Sequence, residues 1–558
     1  MTNSVQLKTD HPAVASFPLW GKVAFLGLAL VKLWLVSGMS LYAIGNALYD
    51  DRLFLNLANA ILAGDWLGPY NNLTLAKGPF YPLWIAATFQ LGIPLLLAQH
   101  LLYIASCAVF IIAVRPVLSR LSILLLMWAV LLFNPMSYTA GVMTRVIREG
   151  IYPSLTILVT AGAVGLLARH DRPPKNLFPW SICLGCCLSA FWLTREEGIW
   201  MIPSVVAIIG FAVVRMRQRR PDRLPILSLI CVLPFCIWMI AIGTVAGINK
   251  NRYGLFTTNE FKSHDFLAAY GALTRVKHAH WQRYYPVPRE TRGRIYRISP
   301  AFAELAPLLE GYIGAAWFSS GCSDASLCED IGGGWFTWAL RDAVAAAGYY
   351  KSAESAANYY RRLAQEINAA CDGGQIECGA ERASMTPPWH SGYASPLLNK
   401  LMRGAAYLGR FGDFYARPIP STGTEDSLKL FRDLTGSQLS NGSGVDDIKI
   451  SILSQIGKIY QITVPILIVL ALIGYIRSTM NIFRTGVVKI LWLINTALLI
   501  ALVIRLLILA IIDVTSFPSF NTMYLAPAYP LLLILVTLAL SGKYEKCSIF
   551  HQGDRKFH

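Results

Sequence analysis

Two neighbouring carboxylates, Asp50 and Asp51, follow the first apolar run in the stretch Tyr49-Asp50-Asp51-Arg52-Leu53-Phe54. Beside a membrane such a pair is costly unless it is solvated, metal-bound or catalytic. Repulsion between the like charges would lift one pKa towards the range that suits a general base. The same loop carries Lys77 in Ala76-Lys77-Gly78-Pro79-Phe80-Tyr81-Pro82, a point charge able to meet a phosphate at a membrane surface. Structural alternatives stand beside both readings: a hydrated helix end for the acids, and a snorkelling interfacial lysine. Further cations follow the third apolar run (Arg145 and Arg148, with Glu149) and the fifth (Arg195, with Glu196 and Glu197). Arg505 sits inside the ninth run, about two turns from Asp513, and an intramembrane arginine is rarely without a partner. These arginines, with the glutamates as acidic partners, could build a charged site or simply cap helix ends. A divalent metal could also bridge Asp50 or Asp51 to Glu149 or Glu197.

The elements that must position these groups are membrane helices. Of 558 residues, 55% are hydrophobic and 15% charged, which disfavours an ordinary soluble enzyme and excludes disorder, collagen and coiled coil. Crossing the hydrocarbon core takes about 20 apolar residues. Such runs occur near 21–46, 95–114, 118–134, 151–168, 177–193, 199–214, 224–247, 458–476, 487–512 and 520–541, about ten spans. The first has a polar leader and no small-residue cleavage site, and reads as an uncleaved helix. The connectors alternate. Arg115/Arg120, Arg169–Lys175, Arg215–Arg223, Arg477–Lys489 and the tail Lys543–Lys556 are basic. Segments 47–94, 135–150, 194–198, 248–457 and 513–519 are acidic, aromatic or glycine-rich. Positive charge marks cytoplasmic loops, so both termini are expected inside and the second set outside. Pro79–Pro94 is short and proline-bounded, and reads as an interfacial or re-entrant helix on the outer face. The net charge of +17 therefore orients the chain; nucleic acid is not an expected partner.

Three regions follow: an N-terminal membrane module (1–247) containing the site-bearing loop 47–94, an extracytoplasmic, mainly helical domain (248–457), and a C-terminal membrane module (458–558). Residues 250–450 hold 22 Lys/Arg against 20 Asp/Glu, a near-soluble balance. Four of the 11 cysteines lie there, and Cys322, Cys328, Cys371 and Cys378 suggest two disulfides, a bond within each close pair being one arrangement. The arginine-rich stretch Arg275–Arg297 could be a solvated loop or a clamp for lipid phosphate or an acidic glycan.

The ordered set of an acidic pair, a helix, Gly64-Asp65-Trp66, Lys77 before Gly-Pro-aromatic and a short interfacial helix resembles the first periplasmic loop of GT-C glycosyltransferases. The likeness is nearest to the protein O-mannosyltransferase and aminoarabinose-transferase branch, where the stretch reads Asp-Glu, Gly-Asp-Trp and Lys-Pro-Pro. It covers roughly 47–94, with a looser likeness of topology elsewhere. The resemblance implies a GT-C-like polytopic helical fold and an enzyme of the bacterial inner membrane. Such an enzyme moves one sugar from a polyprenyl-phosphate carrier, such as undecaprenyl phosphate, to a glycan, lipid or protein acceptor on the outer face. It implies Asp50 as the base, Asp51 at the second acidic position and Lys77 near the donor phosphate. Direct displacement of phosphate would invert the anomeric centre, with Arg505, Arg145, Arg148 and Arg195 as further phosphate-binding groups. The chain departs from the pattern in Asp-Asp for Asp-Glu, in Lys-Gly-Pro for Lys-Pro-Pro, and in its long insert between spans seven and eight. Two other readings stay open: a transporter or flippase for lipid-linked glycans, and a noncatalytic assembly partner. The first needs charge spread through the spans, the second a dispensable acidic pair.

Overall fold

The computed structural model describes residues 17–118, 120–195, 197–219, 224–442 and 446–542. Among the described residues the secondary structure is helical, apart from a few isolated bridges. The membrane part begins with α1 (Leu19–Val36), then α2 (Asp51–Leu62), α3 (Phe80–Gln90), α4 (Leu95–Val114), α5 (Leu121–Leu132), α6 (Tyr152–Leu167), α7 (Pro174–Thr194), α8 (Ile202–Arg219) and α9 (Leu224–Tyr253). The region between α9 and the next long apolar helix holds α10 (His264–Arg275), α11 (Arg289–Ile295), α12 (Pro300–Ala303), α13 (Ala306–Leu309), α14 (Tyr312–Ala325), α15 (Gly333–Ala346), α16 (Ala353–Asp372), α17 (Ala394–Arg410) and α18 (Glu425–Thr435). The chain then returns through α19 (Asp447–Thr485), α20 (Ile490–Thr515), the one-turn α21 (Thr522–Leu525) and α22 (Ala528–Leu540).

Seven of these helices are long and apolar enough to cross a membrane: α1, α4, α7, α8 with the turn before it, α9, α19 and α20. Three shorter apolar helices, α5, α6 and α22, complete the set expected from the hydrophobic runs. The protein is a multi-pass helical membrane protein. One shared core joins these helices, and α6 is buried over nearly its whole length at the centre. The basic connectors meet at one end. Arg169 reaches from the end of α6 to the carbonyls of Ile112 and Ala113 on α4, Arg215 of α8 donates to the Val488 carbonyl, and Arg115 lies over the Phe17 ring at 3.8 Å. The run Arg220–Arg223 and the basic tail lie outside the described residues.

Two expectations change. The first span ends at Val36, well short of residue 46, because Ser37-Gly38 halts the helix and the following backbone pairs elsewhere. The acidic pair is thus held by a strap and not by a helix leaving the membrane. Second, the region from α10 to α18 divides by its packing. Residues 266–376 carry a core of their own, built on Phe266, Phe336, Leu340, Tyr360 and Leu363. Leu408, Phe411, Phe431 and Leu434 belong instead to the core of the membrane bundle. The disulfides Cys322–Cys328 and Cys371–Cys378 staple the first of these parts.

Candidate active site

The site is assembled at the end of the bundle opposite the basic connectors, from five stretches of chain. Residues 37–47 form a strap whose backbone is stitched to three loops. Leu41 N–H donates to Gln438 O (2.8 Å), Tyr42 N–H to Thr144 O (2.9 Å), and Gly45 N–H to Thr422 O (2.7 Å). A side chain at Gly45 would collide with Ser427 and the backbone of Gly423, so the close approach demands glycine. The strap delivers Asp50 to the N-cap position of α2 and Asp51 to its first turn, where a carboxylate suits the helix dipole.

The two acids have opposite surroundings. Asp51 has no exposed side-chain surface and is gripped by Arg145, whose Nε and Nη2 donate to its two oxygens at 2.9 and 2.6 Å. Burial pushes its carboxyl up to about 6, with Asp50 adding to the rise and Arg145 opposing it. Asp50 is half exposed and pairs with Lys77, which is itself buried. Burial opposes ionisation of Asp50, but Lys77, with Arg145 and Arg148 behind it, outweighs that and holds the carboxyl below its usual range. Lys77 lies over the ring of Phe54 at 5.0 Å and 5.9 Å from that of Trp338. Gly78 lets this loop press on the end of α7, where a Cβ would run into the Leu193 carbonyl. The departure from Lys-Pro-Pro thus has a packing reason.

A second charged group adjoins the first. Arg195, 3% exposed, pairs with Glu149 and with Glu197 (3.0 Å). Arg505, fully buried, donates to Glu197 (3.2 Å) and to the Tyr524 carbonyl (2.5 Å). Glu197 is a third exposed. Burial would raise it, but Arg195, Arg505 and Arg148 take its carboxyl down to about 2. Arg148 stands between the groups, donating to Thr194 O at 3.4 Å, 5.9 Å from the Phe54 ring, with its field felt at both Asp50 and Glu197. The Nε–H groups of Arg195 and Arg505 are buried without a hydrogen-bond partner, so both arginines keep a donor in reserve.

The structure therefore gathers Asp50, Asp51, Lys77, Arg145, Arg148, Glu149, Arg195, Glu197 and Arg505, while Glu196 lies outside the described residues. Arg145 is committed to Asp51. Arg505 turns to Glu197 and not to Asp513, which pairs with Lys400 (2.6 Å) and accepts from Ser519 N–H (2.7 Å). A bridging metal does not fit: each carboxylate already faces a cation, and among the described residues no three His, Cys, Asp or Glu gather as a metal set. The arginine-rich stretch Arg275–Arg297 is largely engaged within the chain. Arg275 pairs with Asp372, Arg289 and Arg292 with Glu310, Arg292 also with Asp330, and Arg283 donates to the Val514 carbonyl, all bonds within the chain.

Sequence reasoning missed the wall that α14 and α15 form beside the site. On α15, Asp342 accepts from Tyr49 Oη (2.5 Å), Asn72 Nδ2 (2.7 Å) and Trp317 Nε1 (2.8 Å). Next to it Arg341, fully buried, pairs with Glu260 (2.9 Å) and donates to Asn72 O. An Arg-Asp pair amid the alanines of this helix was the available signal.

No protein-family model matches the chain, and no curated protein matches it in sequence. In structure it is similar to ArnT from Cupriavidus metallidurans in the apo state, at 13% identity and TM-score 0.31, covering 94% of this chain and 77% of that one. It is also similar to the same protein bound to undecaprenyl phosphate, at 12% identity and TM-score 0.29, covering 94% and 78%. A third likeness is to the archaeal oligosaccharyltransferase AglB from Archaeoglobus fulgidus, in complex with an inhibitory peptide and a dolichol-phosphate. That match has 9% identity and TM-score 0.38, and covers 94% of this chain and 50% of that one. At such identities and scores these likenesses carry no weight for the activity of this chain.

Proposed function

We propose that the protein is a membrane glycosyltransferase that takes a sugar from a polyprenyl-phosphate carrier and passes it to a hydroxyl acceptor on the extracytoplasmic face. The observation that supports this reading best is the pairing of a half-exposed carboxylate, Asp50, with a buried cation, Lys77, beside two buried arginines that keep unused donors. A general base and a phosphate seat are what such a transfer needs. The donor phosphate enters among Lys77, Arg505, Arg195 and Arg148. Lys77 then turns from Asp50 to the phosphate, and Asp50, relieved of the ammonium that depressed it, regains basicity. Asp50 accepts the proton of the acceptor hydroxyl as that oxygen forms a bond to the anomeric carbon. The bond from this carbon to the phosphate oxygen breaks, its electron pair leaves with the polyprenyl phosphate, and the centre inverts. Phosphate is already a good leaving group, so no separate acid is required. Asp51 and Arg145 hold the turn that carries Asp50. The orientation that goes with this reading places the basic connectors and both termini in the cytoplasm of a bacterial inner membrane. Sugar transfer measured in purified membranes for Asp50→Asn and Asp51→Asn tests it. Full activity in both variants refutes the carboxylate base.

A further inference from the structure

The wall that the outer domain presents to the charged site is aromatic. Trp338 of α15 lies 5.9 Å from Lys77 Nζ and meets Tyr49 edge-on at 5.3 Å between ring centroids. Trp317 of α14 is near-parallel to it, 14° apart in plane and 6.3 Å between centroids, and meets Tyr49 at 4.7 Å. Phe261 closes the far side of Trp338 at 4.9 Å. Asp342 fixes the arrangement, holding Trp317 by its indole N–H and Tyr49 by its hydroxyl. Both tryptophans remain partly exposed, where core aromatics of the same domain such as Phe266, Phe336 and Tyr360 are fully buried. Two large, rigid, partly wet rings beside a base and a cation are an arrangement that packing alone does not call for.

We propose that Trp338, backed by Trp317 and Tyr49, is the binding wall for a sugar ring, and so determines which saccharide the site accepts. The inference rests on the glycosyl-transfer reading and names the ligand chemistry it implies. A sugar joined to a phosphate at Lys77 lies within one ring's reach of Asp50, and the surface next to both is Trp338. The axial C–H bonds of a pyranose present an apolar, slightly positive face, which complements the electron-rich face of an indole much as a cation does. The hydroxyls on the ring edge then face the solvated side and the Asp50 carboxylate. Either the donor sugar or a saccharide acceptor has this chemistry, and the two sources separate experimentally.

The test uses the full-length protein in lipid nanodiscs and three probes: sugar-free decaprenyl phosphate, a panel of decaprenyl-phosphate-linked hexoses and pentoses, and free methyl pyranosides. Wild type, Trp338→Phe and Trp338→Ala are compared. Expected is unchanged binding of sugar-free decaprenyl phosphate in all three proteins. Truncating a buried-edge tryptophan to alanine at a hot spot typically weakens binding about tenfold or more. That loss in Trp338→Ala, with most affinity kept by Trp338→Phe, should fall on the sugar-bearing lipids if the donor sugar stacks there, and on the methyl pyranosides if an acceptor does. The proposal is overturned if Trp338→Ala binds every sugar probe as wild type does. It is equally overturned if the loss extends to sugar-free decaprenyl phosphate, if Trp338→Phe loses as much as alanine, or if wild type gains nothing from any sugar. Failure of the underlying functional reading looks different: wild type then does not bind decaprenyl phosphate, or Lys77→Ala binds it unchanged, and the methyl pyranosides alone decide the wall.

Discussion

Replacing each acid of the pair by its amide separates stability from chemistry. Asp51 is sealed from solvent in a two-pronged bond with Arg145, so Asp51→Asn leaves a guanidinium facing a neutral group. Breaking a buried ion pair by removing one partner costs about 3–5 kcal/mol. The asparagine oxygen can still accept one N–H, and 19% of the Arg145 side chain reaches solvent. These reduce the expected loss to about 2–4 kcal/mol. Asp50 is 53% exposed, and its lysine keeps the faces of Phe54 and Trp338, so Asp50→Asn costs about 1 kcal/mol. For activity the order reverses. Losing a general base lowers turnover by about 10²–10⁴-fold. Asp51→Asn instead misplaces the base, at a cost of roughly 10–100-fold. Denaturant titration of the purified protein in mixed micelles, read by tryptophan fluorescence, gives the stabilities. Release of labelled sugar from a polyprenyl-phosphate donor in membranes gives the rates. An Asp50→Asn protein that unfolds first, or that transfers sugar at the wild-type rate, refutes the division of labour between the two acids.

Four further outcomes follow from the same geometry. Against its burial, Arg195, Arg505 and Arg148 take the Glu197 carboxyl down to about 2, below its value in the unfolded chain, so the unfolded chain binds the extra proton as pH falls. The stability this confers is complete above the unfolded value and lost as pH falls towards about 2; denaturation midpoints of wild type should show the slope and those of Glu197→Gln should not. Glu197→Gln withdraws the charge that faces Arg505, a fully buried cation whose other partner is a carbonyl, and should lower stability by about 2–4 kcal/mol in the same titration. Gly78→Ala drives a methyl into the Leu193 carbonyl and displaces Lys77, costing about 1–3 kcal/mol of overpacking and most of the transfer rate. Reducing the short-loop disulfides should lower the stability of the part with its own core, residues 266–376, by about 2 kcal/mol for each loop closed, measured by unfolding with and without reductant.

The apolar runs mark the seven helices long enough to cross a membrane and the three shorter apolar ones, because a bilayer imposes length and composition on every span, whatever its neighbours. The charged residues are legible for a similar reason: Arg505 inside an apolar helix must find a carboxylate, and the TREEG turn was one of few places to offer it. Which carboxylate it finds was not legible. Asp513 is nearer in sequence, yet Lys400 of α17 and two backbone N–H groups had taken it. The distinct fates of Asp50 and Asp51 were also hidden, since burial of one and exposure of the other depend on Arg145, some 94 residues on. The Arg341-Asp342 pair marks its helix, but nothing local says what Trp338 and Asp342 face. Their meaning comes from the docking of α15 against the loop of residues 49–77, a tertiary fact written in no single window of sequence.

The long-range stitching of the site bears on the order in which the protein is made. The strap before Asp50 is closed by hydrogen bonds from residues 422–440, and Glu197 receives Arg505 only once α20 exists. On a ribosome adding 5–20 residues per second, the stretch from 50 to 505 takes about 20–90 s to appear. For most of that interval the acidic pair and the Lys77 loop are outside the ribosome without the segments that set their geometry. A truncated or stalled chain, however much of the first nine helices it has inserted, therefore presents no completed site to the lipid around it, and competence arrives with nearly the last helix.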